Sequence, residues 1–233
     1  MAEKTVVHLL RHGEVENPEG ILYGRLPGYH LSEDGVLMAK AVAEWLTGRD
    51  VMALFSSPME RAQETAAPIA ETFGLTVITD DRLIEAANDF EGARFRLEGT
   101  RFGLGAPALN RPATWVLLRN PFRPSWGEPY RHIAVRMLAA AGAAREAARG
   151  HEAVCVSHQV PIWVARRKVE GVRLWHHPGR RQCALASLTS FTYEEDRLVS
   201  VSYRELSPEQ RRRQAVGEAD DLPDNAVQSP KPG

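Results

Sequence analysis

Hydrophobic positions along the chain fall into short apolar runs separated by amphipathic stretches. "TVVHLL" (5–10) is an apolar, β-rich run and predicts a strand. A loop with Gly20, Gly24, Pro27 and Gly28 as breakers follows. Ser32 can cap a helix whose first turn holds Glu33 and Asp34, a favourable charge at the positive dipole end. Leu37, Ala41 and Trp45, then Met38, Val42 and Leu46, recur at i, i+4 and predict its apolar face. "VMALFS" (51–56) predicts the next strand, and "SPME" (57–60) a helix start with Ser57 as cap, Pro58 at the first position and Glu60 closing a capping box. That helix should run to about Thr72 and close at Gly74. "LTVIT" (75–79) and "EAVCVS" (152–157) predict strands, with helices at about 130–148 and from Pro161 to Val169. "ASLTSFTYEE" and "RLVSVSYREL" alternate as a closing hairpin around Glu195-Asp196. Strands separated by helices imply an α/β fold, a three-layer αβα sandwich with a mostly parallel central sheet.

Two segments break this rhythm. Residues 93–128 mix Gly, Pro, aromatics and Arg over a length unusual for a plain loop, which suggests a lid or binding insertion. From Ser207 to Gly233 the chain is polar and Pro-rich, the composition of a flexible tail. One domain over 1–206 with a tail at 207–233 is therefore expected. The 29 basic and 30 acidic side chains nearly cancel, so nothing global points to nucleic acid or an anionic membrane as partner. Cys155 and Cys183 are too few for a disulfide framework. No apolar stretch has the length of a membrane span or a signal peptide, and a reduced, cytoplasmic setting is the expectation. The sequence does not exclude a homodimer.

Three strand ends carry the candidate chemistry. Arg11 and His12 follow the first strand, Arg61 opens the helix after the second, and His158 follows the strand 152–157. In an open α/β sheet the ligand crevice lies outside the carboxyl ends of the strands, where these four side chains would converge. Arginine forks match phosphate oxygens two at a time, and a helix start at Ser57 adds a positive dipole end. Neighbouring cations would keep one imidazole neutral and nucleophilic. His8, His30, His132 and His151 read as surface or capping residues. His176-His177 lacks the spaced partners that zinc needs, so no metal is expected.

"LLRHGEVEN", "SSPMERAQETA" and "VCVSHQ" occur in the order of the motifs of the histidine phosphatase superfamily, the branch that includes cofactor-dependent phosphoglycerate mutases. The resemblance covers about residues 5–205 and implies a phosphoglycerate mutase-like fold. It implies that His12 is phosphorylated, that Arg11, Arg61 and His158 hold the phosphoryl oxygens, and that Asn17 helps to bind phosphate. It implies no metal and no cofactor. "DDRLIEAANDFEG" resembles the segment that supplies the general acid, which points to Glu85, with Glu91 as the fallback. Glu14, beside the clamp, would repel phosphate and reads as structural.

Two departures bear on function. Gln159 stands where many relatives have Gly, and could donate to the ligand or narrow the pocket. "EAANDFEG" lacks the aromatic and basic set by which the mutases grip a phosphoglycerate carboxylate. A phosphomonoester hydrolase acting on a small molecule is therefore the leading expectation, with a mutase or a non-catalytic phospho-ligand binder as alternatives. Arg94, Arg96, Arg119 and Arg123 could meet further anionic groups, Trp115, Phe122 and Trp126 could pack on an organic part, and Glu128 reads as a helix cap.

Overall fold

A computed structural model describes residues 3–92 and 127–206 together with a short strand at 227–228. The insertion 93–126, with its Arg and aromatic candidates, and the tail segments 207–226 and 229–233 lie outside the described residues.

The strands are β1 (Lys4–Arg11), β2 (Val51–Ser56), β3 (Val77–Thr79), β4 (Glu152–Ser157), β5 (Leu188–Glu194), β6 (Arg197–Arg204) and β7 (Val227–Gln228). The helices are α1 (Glu33–Leu46), α2 (Glu60–Phe73), α3 (Tyr130–Ala147) and α4 (Gln159–Val169). One sheet runs β3-β2-β4-β1-β5-β6-β7. Its first four strands are parallel, joined by helical crossovers, and the hairpin β5–β6 and the short β7 extend it antiparallel. Glu195, at the predicted turn, takes a positive φ of 54°.

Side-chain alternation along the strands supplies two cores. Val7, Leu9, Phe55 and Cys155 point to one face, under Ile133 and Met137 of α3 and Ile162 of α4. Leu10, Leu54, Val154 and Val156 point to the other, under Val42 and Leu46 of α1 and Ala66 and Ile69 of α2. Each such side chain, fully buried, contributes about 1.5–3 kcal/mol, so the central strands are held from both sides. This is the expected three-layer α/β sandwich.

Several local expectations differ from the structure. On α1, Ala41, Val42 and Leu46 are buried and Met38 and Trp45 pack against them as expected, while Leu37 is 42% exposed and Gly35, Ala39 and Ala43 complete the buried face. A seam with small residues lets α1 press on the exit from β1. A Cβ on Gly35 would sit 2.0 Å from the Glu14 carbonyl oxygen, and one on Gly13 would sit 2.6 Å from the Gly35 oxygen. Helix α2 begins at Glu60 with Met59 at the cap and no side-chain cap, so the Ser57–Glu60 capping box does not form. Glu60 instead accepts from the Gly28 amide at 3.1 Å. Helix α4 starts two residues earlier than expected, directly after His158. His8 is not at the surface: it is 2% exposed and bridges Ser190 and Glu152 at 2.7 and 2.9 Å.

Candidate active site

The registry of the parallel strands brings the motifs together. Arg11 is level with Ser157, and Ser56 with Val156, so β1 and β4 end level and β2 ends one residue before them. The next residue on each strand is His12, His158 and Ser57. Backbone bonds carry the alignment one step further, from His12 N to Ser157 O at 3.1 Å and from Ser57 N to Val156 O at 2.9 Å. The ring centroids of His12 and His158 lie 5.1 Å apart.

Each imidazole is fixed by one partner. The Nδ1–H of His12 donates to the Gly13 carbonyl at 2.7 Å, which leaves Nε2 with its lone pair. Burial first, then the charges of Arg11 and Arg61, hold the His12 pKa well below the ordinary 6.5. His158 is also depressed, by burial and by His12, Arg61 and Arg11. Its Nδ1 faces Arg61 Nη2 at 3.3 Å, a donor, so its Nε2–H donates to Ser57 Oγ at 2.8 Å. Ser57 therefore serves the site instead of capping α2.

Arg61 is the largest fully buried side chain of the described residues. Its Nη2 donates to the Gly24 carbonyl at 2.7 Å, and the Tyr23 ring lies 4.8 Å beneath its guanidinium. Arg11 Nη1 donates to the Cys183 carbonyl at 2.7 Å. The Nε of Arg11 and the Nε and Nη1 of Arg61 are buried with no acceptor among the described residues. Thr65 ties two motifs together: its hydroxyl donates to Arg61 O at 2.7 Å and accepts from the Gly13 amide at 3.1 Å.

Arg11, His12, Tyr23, Glu85, Gln159 and Arg181 are among the residues lining a cavity of about 280 Å³. Burial raises the Glu85 carboxyl pKa despite the opposing pull of the Ala86 amide, Arg61 and Arg11. Its backbone is anchored by Arg25 Nε, which donates to Glu85 O at 2.7 Å. Arg136 Nη1 adds 2.6 Å bonds to Arg82 O and Ile84 O just before it. Glu128 ties these guanidiniums together, accepting from Arg136 Nε at 2.8 Å and Arg25 Nη2 at 2.9 Å. The cap of α3 is Pro129, so Glu128 is an ion-pair hub and not the expected capping residue.

Arg61 and His158 are fully buried beside His12 and are not among the residues lining this cavity, and two further candidates lie apart from the group. The Asn17 amide clasps Ile21, donating to its carbonyl at 2.9 Å and accepting from its amide at 3.0 Å, and Asn17 does not line the cavity. Glu91 does not line it either; its Oε1 accepts from the Arg25 amide at 3.0 Å. Tyr23, Arg25, Arg136 and Arg181 were not singled out from the sequence for the site, and Ser57 was expected there only as a helix start. Among the described residues no cluster of three or more His, Cys, Asp or Glu could hold a metal ion, and no helix is long and apolar enough to cross a membrane.

Comparison with known proteins places the chain in a family. The model of the histidine phosphatase superfamily (branch 1) matches residues 7–205. The chain belongs to that superfamily. It is 57% identical over 203 residues to uncharacterized protein Rv0525 of Mycobacterium tuberculosis, covering 87% of this chain and 97% of that one. Over 78 residues, 33% of this chain and 39% of the relative, it is 44% identical to the 2,3-bisphosphoglycerate-dependent phosphoglycerate mutase of Thermoplasma acidophilum. Among solved structures it resembles mycobacterial glucosyl-3-phosphoglycerate phosphatase Rv2419c, with a TM-score of 0.62 at 26% identity over 82% of this chain and 91% of that one. It shares its fold with a phosphoserine phosphatase from Entamoeba histolytica, with a TM-score of 0.64 at 21% identity over 87% of this chain and 98% of that one.

Proposed function

We propose that the protein is a phosphomonoester hydrolase that works through a phosphohistidine on His12. The observation that carries this reading is the His12 ring itself: neutral by environment, tethered through Nδ1, with Nε2 left as a lone pair beside two buried arginines. A buried guanidinium nitrogen without an acceptor is costly, and the oxygens of a phosphoryl dianion are matching acceptors for the three on Arg11 and Arg61.

In the proposed first step the Nε2 lone pair attacks phosphorus, the P–N bond forms, and the bond to the ester oxygen breaks. Charge on the equatorial oxygens is stabilised by Arg11 and Arg61 in fixed positions, while neutral His158, its N–H committed to Ser57, faces the Arg61 guanidinium through Nδ1 and helps to place it. Glu85, kept protonated by burial, gives its proton to the departing alkoxide. In the second step the Glu85 carboxylate takes a proton from water, the water oxygen attacks phosphorus, and the P–N bond breaks to return neutral His12 and release phosphate. The cationic clamp supplies the charge stabilisation that a metal gives elsewhere, so activity without added metal is expected. A location inside the cell and a small-molecule substrate are part of the same proposal.

A panel of phosphorylated metabolites and 4-nitrophenyl phosphate, tested without added metal and with His12→Ala as control, tests this directly. Hydrolysis by the wild type that vanishes in His12→Ala is the expected result. Exchange of 3- and 2-phosphoglycerate that depends on 2,3-bisphosphoglycerate would favour a mutase instead. Phosphate-ester binding without turnover of any ester would favour a non-catalytic binder.

A further inference from the structure

Arg181 lines the same cavity, on the segment between the short 3₁₀ turn Pro178–Arg180 and β5. It is not left to swing in solvent. Its Nε donates to His176 Nε2 at 2.9 Å, and its Nη1 reaches Gln159 Oε1 at 3.4 Å. His176 can accept that bond because its other nitrogen is committed: Nδ1–H donates to the Leu174 carbonyl at 2.7 Å. The ring is 7% exposed, stacked on Tyr130 at 5.2 Å and met edge-on by Trp163 at 6.0 Å. Burial, then the charges of Arg181 and Arg167, bring its pKa to about 4, so it stays a neutral acceptor near neutral pH. The adjacent histidines therefore form no metal site: His176 aims an arginine, while the neighbouring His177 accepts from the Gly179 amide at 3.1 Å.

We infer that Arg181, aimed by His176 and flanked by Gln159, is a subsite for a carboxylate carried by the phosphomonoester substrate. The inference deepens the proposed hydrolase reading and rests on it. With Nε engaged, the free edge of the fork is Nη1–Nη2, and the long Gln159 contact is readily exchanged for a stronger one. End-on, that edge matches the two oxygens of a carboxylate. The other charges of the wall do not oppose it: Glu128 is neutralised by Arg25 and Arg136, and Glu85 is pushed towards its neutral form. A cavity of about 280 Å³ suits a small ester, with the phosphoryl group at His12 and an acid group across a short carbon chain. The mutase-type gripping set missing after Glu85 is replaced in this picture by a group from the opposite end of the chain.

The test compares 3-phosphoglycerate with glycerol 3-phosphate, which differ in a carboxylate against a hydroxymethyl group. A charge-assisted bond of ordinary strength gives the wild type a roughly 10- to 100-fold preference in kcat/KM for the acid. Arg181→Met should bring that ratio to within about threefold of one, chiefly through KM for the acid. His176→Phe, which keeps the packing but not the acceptor, should lower the ratio by about 3- to 10-fold. A merely structural role would depress both substrates equally and leave the ratio standing. No wild-type preference for the acid, or a preference that survives Arg181→Met, overturns the inference. Hydrolysis of 4-nitrophenyl phosphate lost in His12→Ala, measured alongside, shows whether the hydrolase reading stands when the subsite does not.

Discussion

Ser57 separates two accounts of the same atom. A serine at a strand–helix junction reads as a cap, yet its hydroxyl accepts the His158 Nε2–H at 2.8 Å and sits at a long 3.4 Å from the Met59 amide. In Ser57→Ala the His158 N–H, on a residue with no exposed surface, has no acceptor. The loss of a buried partner costs about 1–3 kcal/mol. The ring can avoid that cost only by moving the proton to Nδ1, where it meets the Arg61 donor at 3.3 Å. Either response disturbs the placement of Arg61, which holds the phosphoryl group in the proposed mechanism. If the full cost is felt in the transition state, kcat for 4-nitrophenyl phosphate should fall about 5- to 150-fold. A simple cap would cost about 1 kcal/mol of stability and leave catalysis alone. Steady-state kinetics paired with thermal unfolding distinguish the two, since a chain of this size loses about 2–4 °C of Tm per kcal/mol. A kcat within about twofold of wild type alongside a lowered Tm would refute the role assigned to Ser57.

Three further outcomes follow from the same geometry. Arg61→Met removes a buried cation with two nitrogens lacking acceptors, so Tm should hold or rise while kcat/KM falls at least about 10³-fold; a drop in Tm with activity retained would contradict this. Glu85→Gln removes the proton donor, so hydrolysis of alkyl phosphates should fall about 10²- to 10⁴-fold and that of 4-nitrophenyl phosphate, whose leaving group needs no proton, much less. The wild-type kcat/KM should rise with pH as His12 loses its proton, with a midpoint below 6.5, and fall as Glu85 ionises, with a midpoint above 4.5; in Glu85→Gln the alkaline limb should vanish. Away from the site, burial opposes ionisation of Glu152, but its bonds to His8 and Arg49 outweigh that and bring its pKa down to about 2. A depressed carboxylate stabilises the fold above its unfolded pKa of about 4.5, and that gain disappears as pH falls towards 2. His8 itself favours its neutral form, so most of the effect belongs to Arg49 and the hydrogen bonds; the full shift corresponds to about 3 kcal/mol, which solvent screening at this half-buried group reduces to about 2 kcal/mol. Melting curves of Glu152→Gln and wild type should differ clearly at pH 7, draw together below about pH 4.5 and converge only as pH falls to about 2.

The sequence disclosed the parts of the site that depend on strand ends. Apolar runs at 5–10, 51–56 and 152–157 fix where Arg11, His12, Arg61 and His158 emerge, and the registry of three parallel strands brings them together. It also disclosed Glu85, which follows the turn Asp81–Leu83 into the cavity wall. What it hid depends on contacts across the chain. Ser57 and Glu60 match a capping pattern locally, but His158 and Gly28 claim their side chains. Asn17 was expected from the resemblance to help bind phosphate, while its amide is occupied by Ile21. Glu128 and Arg136 are eight residues apart, yet their purpose is to hold the chain at 82–85. Arg181 carries no local signal, because its aim comes from His176 and from the stacking of Tyr130. On the α1 face only Leu37 was misplaced, and the contribution of Gly35 and Ala39 was missed because such small residues carry little hydrophobic signal.

The most direct measurement is to quench single-turnover reactions in base and locate the phosphoryl group by peptide mass spectrometry. It should appear on the peptide containing His12, form as fast as the alcohol is released, and decay at the rate at which phosphate appears. A phosphoryl group on His158 instead, or turnover by His12→Ala at the wild-type rate, would contradict a nucleophilic imidazole at the end of the first strand.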